Sequence, residues 1–164
     1  MRALRRPFGG VKKPLIPVPA ALAALFAADR LSKQWAIVWL LPRGSIRLLP
    51  FFRLTYVENT GAAFGIGFSR NRFFIVLSTL LIGVLFYLLR AWREKNAWIR
   101  LGLVLVAGGA LGNLYDRLLY GFVVDFLQLP MWPVFNLADS CVTVGACCLG
   151  WGLRLDEAAA VVAR

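Results

Sequence analysis

The stretch Phe73–Leu89, FFIVLSTLLIGVLFYLL, runs for 17 residues without a charge. A bilayer core about 30 Å thick takes about 20 helical residues to cross. Within lipid only a helix or a closed barrel satisfies its own backbone. The stretch therefore reads as a transmembrane helix, and three further apolar segments follow its pattern. Leu15–Leu41 is interrupted by Asp29, Arg30 and Lys33. Trp98–Leu118 has Arg100 near its start and Asp116–Arg117 near its end, and Val134–Leu153 has Asn136 and Asp139 near its start. The sequence predicts an all-α membrane protein with four transmembrane helices at about 15–41, 73–89, 98–118 and 134–153, in one integral membrane domain over residues 1–164. The basic head before the first segment could be taken for a signal peptide, but the run continues past Asp29 far enough to span and reads as a retained helix.

Composition points the same way. Of 164 residues, 60% are hydrophobic and 16% charged, and the mean hydropathy is +0.69. A soluble domain is about half apolar and about a quarter charged, so a soluble fold, a disordered chain, a collagen-like repeat and a secreted disulfide scaffold are all excluded. The net charge of +11 comes from 19 Lys and Arg against 8 Asp and Glu. These cations lie between apolar runs and form no dense patch, which fits a lipid surface and no nucleic acid. The chain has no histidine, which removes Ser-His-Asp and Cys-His catalysis and most zinc sites. Cys141, Cys147 and Cys148 share one apolar run and read as buried, inert thiols rather than a disulfide framework or a metal site. No metal and no cofactor is expected.

Orientation follows from Lys and Arg. The N-terminal tail, the loop between the second and third helices and the C-terminal tail together hold eleven, including Arg2, Arg5, Arg6, Lys12, Lys13, Arg93 and Lys95, against five in the first outer loop. Both termini are therefore expected in the cytoplasm. Within that outer loop Ser45–Val57, SIRLLPFFRLTYV, has the aromatic and β-branched content of one or two short strands on the membrane surface. NTGAAFGIG, Asn59–Gly67, follows, with glycines that permit tight turns and close backbone approach. Trp35, Trp39, Trp98 and Trp132 fall near expected helix ends, as an interfacial belt does.

An ionisable residue inside a membrane is a functional candidate. Glu94, Asp156 and Glu157 read as a solvated cytoplasmic face, and Glu58 is ambiguous. Asp29 has Lys33 four positions on, hence on one helix face, and Asp116 adjoins Arg117, so a structural ion pair is one reading of each. Asp125 has no base nearer than Arg117, and Asp139 has none within 14 positions on either side. Two carboxyls without local cations in apolar surroundings have raised pKa values. Facing each other they can share a proton, one polarising a carbonyl while the other takes a proton from water. The inventory places Asp125 in the loop after the third helix and Asp139 in the first turns of the fourth. Gly108 and Gly112 read as close helix packing, while Asn113 and Asn136 read as amides that hold the acids in place. On these residues alone a small proton-coupled membrane transporter stands beside a hydrolase.

Five stretches, in order from Ala28 to Ser140, then carry a resemblance. ADRLSK (Ala28–Lys33), VENTGAAFG (Val57–Gly65), GGALGNLYDR (Gly108–Arg117), GFVVDF (Gly121–Phe126) and FNLADS (Phe135–Ser140) resemble the motifs of lipoprotein signal peptidase, or signal peptidase II, the four-helix aspartyl peptidase of bacterial inner membranes. The resemblance implies that Asp125 and Asp139 are the catalytic dyad. It implies that Asp29, Lys33, Asn59, Gly61, Asn113, Asp116, Arg117 and Asn136 shape or support the site. It also implies a small extracytoplasmic β-sheet platform, a diacylglyceryl-modified prolipoprotein substrate held among membrane lipid, an active site towards the outer face, and inhibition by globomycin. Nothing in the pattern demands a partner subunit, so a monomer is expected. The interval of 14 residues between the aspartates is short, so Pro130–Pro133 is expected to form a short lid. The rivals are the transporter, with acids nearer the bilayer midplane, and a non-enzymatic lipid or assembly factor indifferent to loss of either acid.

Overall fold

A computed structural model of the chain describes residues 17–61, 69–92 and 96–162. The basic N-terminal tail, most of the glycine-rich loop after Asn59, Arg93–Lys95 and Arg164 lie outside the described residues. The protein is mostly helical: α1 is Val18–Trp35, α2 Ser69–Ala91, α3 Ala97–Leu119 and α4 Leu137–Val162. α1 continues through a π-helical turn, Ala36–Leu40, into the 3-10 turn Leu41–Arg43, so the first apolar run is one helical column with two changes of winding. By length and composition two helices, over Asn71–Ala91 and Ala97–Leu119, are apolar enough to cross a membrane. α1 carries Asp29, Arg30 and Lys33, and α4 carries Asp139, Arg154, Asp156 and Glu157.

α3 is the central helix, packed on α1, α2 and, most extensively, α4. Its glycines make that possible. A Cβ on Gly109 would run into the Ala138 carbonyl of α4, and one on Gly112 would land on the Asp29 carboxylate of α1. Small residues thus let backbones approach where lipid supplies no hydrophobic drive between helices. Leu85, Ile99, Leu103, Val106 and Ala107 form the buried centre between α2 and α3. α2 turns the opposite face outward: Phe73, Val76, Leu77, Leu80, Val84 and Tyr87 are all exposed at helical spacing. A contiguous apolar stripe of that size on a bare surface marks a lipid or protein contact. Cys147 is exposed on α4, Cys141 is half-buried and Cys148 is buried. The expectation of three buried thiols is corrected to one, because a helix that is apolar all round still turns one side outward.

The platform has three strands, one more than the outer loop alone supplies. β1 (Ser45–Leu49) and β2 (Phe52–Asn59) form a hairpin where one or two short strands were expected, and β3 (Val123–Gln128) pairs antiparallel with β2, in the order β1-β2-β3. Asp125 is therefore on a strand, opposite Val57. The expectation of a loop position failed because VVDFLQ is too short to show alternation without its partner strand. One face of β3 closes a second core, where Val124 and Phe126 pack on Ala36 and Leu40 of the α1 extension. The sheet is thereby fixed to the end of the bundle where α3 finishes and α4 begins.

Candidate active site

α4 starts at an Asn136–Asp139 capping box. The Asn136 side-chain carbonyl accepts the Asp139 N–H at 2.9 Å, and Asp139 Oδ2 accepts the Asn136 N–H at 3.2 Å. Reciprocal capping of this kind satisfies two backbone donors that a helix start leaves free. Because Asn136 is fully buried, its amide nitrogen needs acceptors too. It donates to Asp125 Oδ1 at 2.7 Å, to Asn113 Oδ1 at 3.1 Å and to the Val124 carbonyl at 3.3 Å. One residue therefore caps α4, holds Asp139 through the backbone and holds Asp125 through its side chain.

The second oxygen of Asp125 accepts from Asn59 Nδ2 at 2.9 Å. Asn59 is itself held by the Gly61 N–H, which donates to its side-chain oxygen at 2.8 Å. Gly61 is in the left-handed region at φ 78°, and a Cβ there would strike the Phe74 ring, so a side chain is disfavoured twice over. The carboxylate of Asp139 accepts from Asn113 Nδ2 at 2.7 Å. Among the described residues, amides surround both acids, and no lysine or arginine is hydrogen-bonded to either.

The two acids differ in their surroundings. Asp125 is 1% exposed, whereas Asp139 is half-buried. Loss of water at Asp125, with the negative charge of Asp139 nearby, pushes its carboxyl up to about 6, against the pull of the Asn59 and Asn136 hydrogen bonds. Asp125 thus has the dry surroundings expected of it, while Asp139 is half-open to solvent. A carboxyl raised from 3.8 favours the folded state fully at pH below 3.8, and the advantage fades as pH climbs through about 6. From this group the protein loses about 2–3 kcal/mol of stability between pH 4 and pH 7. Asp125→Asn removes that fall. Thermal unfolding at the two pH values, parent against variant, measures it, and an unchanged pH dependence in the variant would contradict the assignment.

The other sequence-selected residues also converge. Lys33, fully buried, lies 2.8 Å from Asp29 Oδ2 and 2.9 Å from Asp116 Oδ2 and donates to Asn113 Oδ1 at 2.9 Å. The reading of Asp116 as the partner of Arg117 is corrected. Asp116 pairs with Arg30 and Lys33, because adjacent helical residues point about 100° apart and Arg117 cannot reach back. Arg117 instead lies over the Phe74 ring, within electrostatic reach of Asp139 and Asp125. Arg30 was not singled out from sequence. It pairs with Asp116 and rests on the rings of Tyr115 and Tyr120. The available signal was that Asp29 and Asp116 together need two cations, and α1 carries two.

Asp125 and Asp139 both lie where the sheet meets the helical bundle, and Asn136 bonds to each. The family model described as Signal peptidase (SPase) II matches residues 21–154. The lipoprotein signal peptidase of Moorella thermoacetica is 43% identical over 141 residues, covering 84% of this chain and 94% of that protein. That of Shewanella loihica is 47% identical over 130 residues, covering 74% and 76%. A solved structure titled a bacterial membrane enzyme superposes with a TM-score of 0.79 at 27% identity, covering 92% of this chain and 94% of that one. The chain belongs to the signal peptidase II family, and it is a membrane protease of the aspartic class.

Proposed function

We propose that this chain removes the signal peptide from prolipoproteins that carry diacylglycerol on the cysteine after the cut, with Asp125 and Asp139 as its catalytic dyad. The observation that carries the reading is the pair of acids held by one residue, Asn136, Asp125 through its side-chain amide and Asp139 through its backbone N–H, with unequal burial. Asp125, the drier acid, holds the shared proton and donates it to the scissile carbonyl oxygen. Asp139, more open, takes a proton from the attacking water. As the C–N bond breaks, that proton passes to the departing amine and the carbonyl re-forms, returning a proton to the pair. Asn59, Gly61, Asn113, Asn136 and Arg117 keep the carboxyls in place, and Asp29, Lys33 and Asp116 support them from the bundle.

All four helices span the bacterial inner membrane in this reading, as one integral membrane domain that works as a monomer. Both termini lie in the cytoplasm, and the sheet and dyad lie at the outer face. The Lys and Arg asymmetry supports that orientation, and the outward apolar stripe of α2 supports lipid contact. The substrate's signal peptide and acyl chains supply binding energy remote from the cut, which positions the bond. No observation favours the transporter.

The test is a gel-shift assay with the purified protein and a diacylglyceryl-modified precursor, with and without globomycin. The expected result is loss of the signal peptide, blocked by globomycin, and no cleavage of the unmodified precursor. Equal cleavage of both precursors would remove the lipid requirement from the proposal.

A further inference from the structure

Lys33 is the largest fully buried side chain of the protein among the described residues. Its ammonium donates to Asn113 Oδ1 at 2.9 Å and forms ion pairs with Asp29 Oδ2 at 2.8 Å and Asp116 Oδ2 at 2.9 Å. Each neighbour passes the connection on. The other oxygen of Asp29 accepts the backbone N–H of Ala138 at 3.1 Å. Asp116 Oδ2 accepts the backbone N–H of Val124 at 3.3 Å. Ala138 immediately precedes Asp139, and Val124 immediately precedes Asp125. Asn113 reaches Asp139 directly, at 2.7 Å.

We propose that Lys33 is a positioning residue whose single ammonium sets the separation of Asp125 and Asp139, through the backbone N–H ahead of each. The inference rests on the reading of those two aspartates as the dyad. Ion pairing between α1 and α3 needs only one carboxylate per cation, and Arg30 already pairs with Asp116. What Lys33 adds is a common origin for two arms, one to the start of α4 and one to β3. These two elements make no other shared contact with α1 through charged groups among the described residues. Gly112 keeps the space open for the Asp29 arm, since a Cβ there would displace that carboxylate. The charges of the group balance, Lys33 and Arg30 against Asp29 and Asp116. Removal of Lys33 alone would leave an uncompensated buried acid and unfold the protein for reasons unrelated to the dyad.

The test therefore uses Lys33→Met combined with Asp29→Asn, which removes one charge of each sign and leaves the Arg30–Asp116 pair. The amide oxygen at position 29 can still accept the Ala138 N–H, so the fold is retained while the common origin is lost. Cleavage of the diacylglyceryl-modified precursor and thermal unfolding in detergent are measured together, with Asp125→Asn in parallel. The expected result is a kcat about 100-fold lower, a KM within about threefold of the parent, and an unchanged unfolding transition, because a small misplacement of catalytic groups costs about that much. A double variant that cleaves within threefold of the parent would make Lys33 a charge partner only. A double variant that does not fold would make it a structural residue, and either result overturns the proposal. Failure of the dyad reading shows separately, as full cleavage by Asp125→Asn whatever Lys33 does.

Discussion

On the proposed dyad, Asp125→Asn and Asp139→Asn are each expected to lower cleavage of the lipidated precursor by at least about 10³-fold, with the double substitution no worse than either alone. Residues that act as one unit lose nearly the whole effect at the first removal. The physical ground is that the reaction needs one carboxyl protonated and one ionised at the same moment. Asn at 125 cannot give a proton to the carbonyl oxygen, and Asn at 139 cannot take one from water. KM is expected to change little, since in the proposed mode of binding the signal peptide and its acyl chains lie away from the acids. The comparison is made by gel shift at matched protein concentration, with thermal unfolding to show that the variants are folded. Retained cleavage by either single variant would remove that residue from the reaction.

The second large effect is expected at Asn136, and two substitutions separate its two tasks. Asn and Ser are nearly equal as helix N-caps, while Ala costs about 1 kcal/mol. Asn136→Ser keeps a side-chain oxygen for the Asp139 N–H but has no amide to reach Asp125, Asn113 and the Val124 carbonyl. Asn136→Ala loses the cap as well. Both variants cut the precursor about 100-fold more slowly, because Asp125 is left with Asn59 as its one described side-chain donor. Only the Ala variant pays an additional capping penalty in thermal unfolding. Equal activity of the Ser variant and the parent would show that the cap is the whole contribution of Asn136.

The four helices were visible as apolar runs, and their ends shifted by a few residues, most at α4, which continues past Arg154 to Val162. That extension was hidden because Asp156 and Glu157 end the apolar run without ending the helix. The strand content of Ser45–Val57 was visible in its composition, but β3 was not. A six-residue strand is recognisable only when its neighbour is known, and its neighbour lies more than 60 residues earlier. The two unpaired acids could be picked out by counting nearby cations along the chain. Which cation meets Asp116 could not, because Arg30 is 86 positions away.

Apolar length and the shortage of charge settled in one dimension that the chain lives in lipid as helices, since the cost of burying a charge or an open backbone group depends on local composition alone. Spacing alone also set Asp125 and Asp139 apart as acids with no cation close by in the chain. The three-stranded sheet, the exchange of partners between Arg30 and Arg117, the unequal burial of Asp125 and Asp139, and the convergence of three oxygens on Lys33 had to await the fold. Each depends on distances between segments far apart in the chain, and hydrogen bonds and ion pairs act only over a few ångströms, so no reading along the sequence can supply them.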